Sequence, residues 1–331
     1  MEHRQLGRSG LLVSRLTYGN STTGGDQLDD ERSARCVHAA LDLGITTFDT
    51  ADAYSAGRAE AALGKALAGL RRDGLVLISK VYFPTGDGPN DRGLSRKHVH
   101  SAIDHSLQRL GTDYLDIYVA HRYDARTPLT EAISAFADLA RAGKILYFGV
   151  SDWQPGQVGQ AAKLAEQAGL QMVCCQAQYS ALWRIPEAGL VRSCTELGIG
   201  LFAWSPLAGG VLTGKYAPGA PPPADSRLAE AAGARRAMER WYRLQPQTLA
   251  RAQEFAALAR EAGLEPATLA LSWMLSRPGP SSVVMGASRP AQLAKNAQAL
   301  EVSLDPELAA RIDEVLGPSI VRDPALDPQP A

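Results

Sequence analysis

Short apolar runs recur along the chain, separated by longer segments in which apolar residues return every three or four positions. The runs are LTYG (16–19), ITTFD (45–49), LVLISK (75–80), LDIYVAH (115–121), ILYFGVS (145–151), MVCCQ (172–176), IGLFAWS (199–205) and SVVMG (282–286). Several are continuously apolar or β-branched rather than alternating, which suits strands covered on both faces by βα crossovers. Among the intervening segments Ser95–Leu110 is the clearest helix: Val99, Ile103, Leu107 and Leu110 form one stripe, with Arg96, Lys97, Asp104 and Gln108 off it. Further helices are predicted over 29–43, 58–68, 127–141, 154–168, 185–197 and 290–300. Many end in glycine, as in LDLG (41–44), QAG (167–169) and ELG (196–198), which fits left-handed caps. Eight β units, each followed by an α unit, predict the α/β class and a (β/α)8 TIM barrel rather than an open doubly wound sheet.

Three segments stand outside this rhythm. RQLGRSGLLVSRL (4–16) reads as a leading hairpin turning at Arg8–Gly10. After the seventh strand comes a long loop, Leu207–Gln245, with a proline-dense part (217–226) and a basic-aromatic run, RRAMERWYR (235–243), read as a surface helix or else a lid or subunit contact near the substrate mouth. A C-terminal helix closes the domain, assigned to 1–318, and 319–331 reads as a flexible, untethered tail.

Composition narrows the function. Of 331 residues, 34 are Lys or Arg and 35 Asp or Glu, a net charge of −1, which argues against nucleic acid or an anionic membrane as the main partner. Cys36, Cys174, Cys175 and Cys194 lack a CxxC spacing and read as buried thiols of a reducing cytoplasm. The sequence starts without a secretory apolar run and contains no membrane-length one, so a soluble cytoplasmic protein, monomer or homo-oligomer, is expected. His98 and His100, two apart on a helix, do not share a face, and no metal site is expected. GGVLTGKY (209–216) imitates a phosphate loop but has Tyr216 where a magnesium-holding hydroxyl belongs, and no GxGxxG follows the first strand.

The polar residues at the strand ends carry the chemistry. Asp49 ends the second strand, Lys80 the third and His121 the fourth, and Tyr54 follows Asp49 by five residues. A barrel of this kind builds its site where those ends converge. An ammonium beside a tyrosine stabilises the phenolate, so Lys80 is expected to bring the Tyr54 pKa down from about 10. Asp49 would hold Lys80, and His121 would hydrogen-bond a carbonyl oxygen. Such a set protonates an alkoxide as hydride reaches carbon, with Tyr54 as general acid.

FDTADAY (48–54), Lys80 in LVLISK, His121 in LDIYVAH, GVSDW (149–153), QAQYS (176–180), AWSPLAGGVLTGKY (203–216) and MGASRPAQLAKN (285–296) resemble the aldo-keto reductases. The resemblance runs in order from residue 3 to 316 and is nearest the bacterial branch similar to potassium-channel β subunits. It implies a (β/α)8 barrel with NADPH at the strand C-termini, and assigns Asp49, Tyr54, Lys80 and His121 as a catalytic tetrad. Gly19, Asn20 and Asp49 would lie by the cofactor, and Ser151, Asp152 and Gln176 would hold the nicotinamide carboxamide, with Trp204 stacked on the ring. Ser205, Pro206, Leu207, Ala208, Gly209, Gly214, Lys215 and Arg227 would wrap the pyrophosphate. Gly286, Ser288, Arg289, Gln292 and Asn296 would meet the adenosine and its 2′-phosphate, the basis being backbone N–H groups and a helix N-terminus aimed at an anion.

Asp152 stands where the family has asparagine or arginine, and an ionised aspartate accepts but cannot donate. Asn20 replaces threonine or another small residue, and Lys295 sits where the branch often has glutamate beside adenine. Arg289 next to Ser288 favours NADPH over NADH. The substrate pocket is expected from Ser21, Tyr82, Phe83, Arg122 and Trp153, with Trp183 or Trp241 as further walls; aromatic sides with a few polar groups suit a sugar-derived or aromatic carbonyl, and the resemblance adds a nucleotide-linked keto-deoxysugar as a candidate. Another class of function is a cofactor-sensing regulatory subunit with little turnover.

Overall fold

The computed structural model describes residues 1–21, 28–224, 226–229, 239, 242 and 244–327. Eight parallel strands close into a barrel: β3 (Leu16–Gly19), β4 (Thr47–Asp49), β5 (Val76–Val81), β6 (Leu115–Ala120), β7 (Ile145–Ser151), β8 (Met172–Gln178), β9 (Gly200–Trp204) and β10 (Pro280–Met285), with β10 pairing back onto β3. Each of the eight apolar runs overlaps one strand, with β5, β8 and β10 reaching one or two residues beyond their runs. Ahead of them β1 (His3–Gln5) and β2 (Leu12–Ser14) form the expected antiparallel hairpin, with His3 opposite Ser14.

Parity along the strands sorts the side chains into two cores. Val76 and Ile78 of β5, Ile117 and Val119 of β6, Cys174 of β8, Phe202 of β9 and Val284 of β10 pack together inside the barrel, and Leu6 and Val13 of the hairpin join them. The intervening residues face out and pack against helices. Leu6 lies against Gly200 at the start of β9, and Arg8 N donates to Gly198 O at 2.8 Å, so the hairpin stoppers the N-terminal end.

The helices are α1 (Asp30–Asp42), α2 (Arg58–Leu67), α3 (Arg96–Leu110), α4 (Leu129–Arg141), α5 (Pro155–Gln167), α6 (Leu190–Leu197), α7 (Pro246–Glu261), α8 (Pro266–Ser276), α9 (Pro290–Ala297) and α10 (Pro306–Leu316). Ser95 caps α3 by accepting from His98 N, and the left-handed glycine ends appear at Gly44, Gly169 and Gly198. Three helical expectations need correction. The segment 185–197 is broken at Gly189 into a 3-10 turn (Ile185–Ala188) and α6. The helix expected over 290–300 tightens after Ala297 into a 3-10 turn. Helices α7 and α8 have no counterpart among the predicted ones; α8 is buried from Thr268 to Met274, so it presents no polar stripe to read.

The tail also departs from expectation. Val321 N donates to Leu182 O at 2.8 Å and Arg184 N to Val321 O at 2.7 Å, pairing Val321 with Trp183 in the loop after β8. Residues 328–331 lie outside the described residues, as does most of RRAMERWYR, of which only Glu239 and Tyr242 are described. All four cysteines are free and buried. Among the described residues no helix is long and apolar enough to cross a membrane.

Leu6 is fully buried in the barrel core. Leu6→Ala is expected to lower the unfolding free energy by about 2–5 kcal/mol, read from urea unfolding; a variant as stable as the parent would show that the hairpin only rests on the barrel.

Candidate active site

Inward parity at the C-terminal ends places Asp49 of β4, Lys80 of β5, Gln176 of β8 and His121, just past β6, in the mouth above the apolar core. Asp49 pairs in register with Gly19 and Ile78, so Lys80, two residues beyond Ile78, rises beside its carboxylate. Lys80 Nζ donates to Asp49 Oδ1 at 2.6 Å, to Thr50 O at 2.7 Å and to Tyr54 OH at 3.1 Å, using all three of its protons. Gln176 Nε2 donates to the other oxygen, Asp49 Oδ2, at 2.6 Å. The His121 ring meets Tyr54 edge-on at 5.6 Å and Phe83 at 4.9 Å. The four residues expected to act together therefore converge, with Gln176 as a fifth member.

Tyr54 is held by an unusual turn. Ser55, Ala56 and Gly57 run consecutively in the left-handed region, with φ of 49°, 53° and 83°, a conformation that costs the two non-glycine residues about 1–2 kcal/mol each. Packing beneath the turn maintains it: a Cβ on Gly57 would lie 2.8 Å from Arg109 Nε. Arg109 Nε is itself tied to the buried Glu60 at 2.7 Å, and Glu60 accepts from Ser79 Oγ at 2.5 Å. Strand β5 thus fixes both layers, Lys80 inward and Ser79 outward. Glu60, Arg109 and the buried Asp52 escaped the sequence reading because each looks like an ordinary helix or loop charge; the network of Glu60 with Arg109 and Ser79 spans three elements.

Protonation states follow from burial and neighbours. Burial works against the Lys80 ammonium, yet Asp49 and Tyr54 beside it leave its pKa above the ordinary value, so it is charged. Tyr54 departs from expectation: burial outweighs the lowering by Lys80, Asp49 adds to the rise, and the phenol sits above its ordinary pKa. Burial, then the Lys80 and Arg122 cations, push His121 well below the usual imidazole range, so the ring is neutral. Burial and the nearby Glu60 carboxylate raise Asp52 well above the carboxylate range.

A second cluster borders the first. Asp152, with φ of 52°, turns its carboxylate back so that Oδ1 accepts from Gln178 N at 3.0 Å and Trp204 Nε1 at 3.1 Å, while Oδ2 lies 3.0 Å from Arg122 Nη1. Burial raises the Asp152 pKa against the opposing pull of Arg122. Arg122, expected as a substrate contact, is 6% exposed and also donates to His121 O at 2.6 Å and Ser151 Oγ at 3.4 Å. Trp153 is buried and edge-on to Tyr123, whereas Tyr82 and Phe83 form a T-shaped pair after β5 and Ser21 is exposed after β3. Asp327 of the C-terminal segment belongs to this neighbourhood: burial, then the Asp152 charge, push its pKa up to about 6. Trp241 lies outside the described residues.

The remaining candidates form a rim. Ser205 and Ala208 have left-handed φ of 54° and 48°, and with Gly209, Gly210 and Gly214 they curl the chain after β9 into a tight cradle around Pro206 and Leu207. Gly214 has a further reason to be glycine, since a Cβ there would lie 2.5 Å from Ala256 Cβ of α7. Ser205 Oγ and Tyr242 OH are 2.6 Å apart, which brings one residue of the basic-aromatic run onto the cradle. Lys215 Nζ lies 5.1 Å from the Tyr216 ring centroid, and Arg227 begins a short 3-10 turn. After β10, beyond Gly286, Ser288 N and Oγ both donate to Gln292 Oε1, at 2.8 and 3.2 Å, and Arg289 is the N-cap of α9. Asn296 is buried on that helix, and Lys295 is exposed and paired with Glu265 at 3.1 Å. Asn20 Nδ2 is tied to Ala59 O at 2.8 Å, and Gly19 sits where a Cβ would press on Val284 Cγ1 at 2.7 Å.

Eight parallel strands with ionisable groups gathered at their C-terminal mouth define an enzyme-like α/β barrel. A model of the aldo/keto reductase family matches residues 15–316. A rice (Oryza sativa subsp. japonica) protein described as a "Probable voltage-gated potassium channel subunit beta" is 39% identical over 96% of this chain and 97% of its own. An Arabidopsis thaliana protein of the same description is 37% identical over 96% and 97%. A Schizosaccharomyces pombe protein, also described as such a subunit, is 39% identical over 95% and 92%. The chain belongs to the aldo/keto reductase family, whose members typically use NADH or NADPH and bind small-molecule carbonyl substrates.

With its pKa lowered, the His121 imidazole is expected to remain neutral on NMR titration from pH 8 to below about 6.5. The unfolded chain takes up that proton and the folded one does not, so stability falls as pH drops through about 6.5, by at most about 1.4 kcal/mol per unit for this residue. A His121 ring that protonates at or above that pH would contradict the assignment.

Proposed function

We propose that the protein is an NADPH-dependent reductase of aldehydes or ketones, with Tyr54 as general acid. The observation that carries this reading is the buried Lys80 ammonium bound at once to Asp49 and to the Tyr54 hydroxyl. A tyrosine whose pKa stays above the ordinary value is a protonated phenol at neutral pH, the form a proton donor needs. As the hydroxyl gives its proton to the carbonyl oxygen, Lys80 stabilises the phenolate left behind, and Asp49 keeps Lys80 in place. Neutral His121 can donate one hydrogen bond to the same oxygen and orient it.

The dinucleotide, when bound, supplies a hydride to the carbonyl carbon, leaving the alcohol and the oxidised cofactor. The chain offers a fitting cradle: the left-handed turn at 205–214 with its close-set backbone, the indole of Trp204 beside the mouth, Ser151 Oγ and the Gln176 Oε1 left over from its bond to Asp49, and Ser288 and Arg289 ahead of α9. Asp152 is the exception, since its oxygens are engaged by Gln178, Trp204 and Arg122. The aromatic pair Tyr82 and Phe83 suits a substrate with a flat or apolar body. A second reading, a cofactor-sensing subunit with little turnover, draws on the channel-subunit descriptions of the relatives; tight NADPH binding with negligible turnover on every carbonyl would favour it.

Tyr54→Phe is expected to cut the NADPH-dependent reduction of a simple aldehyde about 10²–10⁴-fold while leaving NADPH affinity unchanged, as measured by fluorescence. A variant keeping more than a tenth of the rate would remove Tyr54 from the role. Arg289→Leu should weaken NADPH binding at least about tenfold and spare NADH, given what a charge-assisted phosphate contact contributes; equal losses would place the arginine elsewhere.

A further inference from the structure

Arg122 is a strand-end cation that the proton-donating set leaves unused. Its guanidinium is turned into the wall of the site, 5.4 Å from the Phe83 ring centroid, with Nη1 against His121 O, Ser151 Oγ and Asp152 Oδ2. Asp152 holds a backbone conformation that non-glycine residues seldom adopt, and such strain is kept where surrounding contacts over-determine it. Its Oδ1 accepts from two N–H donors, Gln178 N and Trp204 Nε1. The chain of contacts runs from the end of β6 through the end of β7 to β8 and β9.

We propose that Arg122 is a positioning residue: it holds Asp152 as a carboxylate, and Asp152 fixes the indole of Trp204, the ring that faces the nicotinamide on the reductase reading on which this role rests. All three partners of Asp152 are donors, so an acceptor-only group fits them. An asparagine that turned its oxygen to Trp204 would aim its NH₂ at the guanidinium. Arg122 and Asp152 therefore belong together, and the aspartate that departs from the family pattern is explained by its partner. A buried carboxylate stripped of its counter-charge costs several kcal/mol and takes up a proton instead. The charge-assisted bond to Trp204 would then weaken. The groups facing Asp152 are Arg122, Lys80, the Trp204 indole, the Gln178 amide, the Cys175 thiol and the Asp327 carboxyl.

The test uses the full chain without cofactor or substrate. The ¹⁵N-labelled Trp204 indole signal, assigned with Trp204→Phe, is followed from about pH 5 to about pH 8, a range bracketing ordinary histidine and raised carboxyl values. All variants carry Asp327→Asn, which removes the neighbouring titration. With Arg122 present the signal should not move. With Arg122→Met it should shift in one titration step, and its N–H should exchange faster with water. Adding Asp152→Asn should abolish the step. Arg122→Lys, which keeps the charge, should behave as the parent and serves if Arg122→Met fails to fold. A pH-independent signal at the parent position in Arg122→Met, a step surviving in the double variant, or a step in Arg122→Lys would each overturn the proposal. Since no turnover is involved, these outcomes are independent of whether Tyr54 is the acid.

Discussion

A lysine ammonium sealed in the barrel mouth sets the terms for everything around it. Lys80 is 1% exposed, and a bare charge there would be untenable without an opposite charge and a full set of acceptors. The Asp49 carboxylate is within reach only because β4 and β5 are neighbours in parallel register. The third acceptor, Tyr54, must be delivered from the loop, and the left-handed turn over Gly57, braced by Arg109 and Glu60, delivers it. Strand order, register and loop conformation thus serve one charged nitrogen.

A second ion pair, Arg122 with Asp152, stands beside the first. Each pair is balanced internally, yet His121 feels both cations and is denied a proton from either side. The mouth therefore holds fixed, opposed charges and a neutral imidazole, an arrangement that, on the reductase reading proposed above, polarises a carbonyl without reorganising as negative charge develops on its oxygen.

Much of this was legible in the chain. Strands buried on both faces leave continuous apolar runs, so all eight were found, and the polar residues that end them, Asp49, Lys80 and His121, stood out against that background. What stayed hidden depends on contacts across the fold. Helix α8, buried almost all round, carries no amphipathic stripe. The direction of the Tyr54 pKa change is a contest between burial and Lys80, decided only by how the folded chain packs around the phenol. Arg122 adjoins His121 in sequence, but its partner lies just past the next strand in a backbone conformation that no composition announces. Glu60 and Arg109 read as helix charges because their shared burial exists only after α2 and α3 pack.

The first and last described residues of the chain lie at opposite poles. The hairpin stoppers the floor of the barrel, while the C-terminal segment crosses the loop after β8 and brings Asp327 toward Asp152 at the mouth. Tethering geometry follows directly: an anchor at Met1 leaves from the floor, away from the opening, whereas one at Asp327 sits beside it. An immobilised form that is to exchange small molecules freely should be held by its leading end.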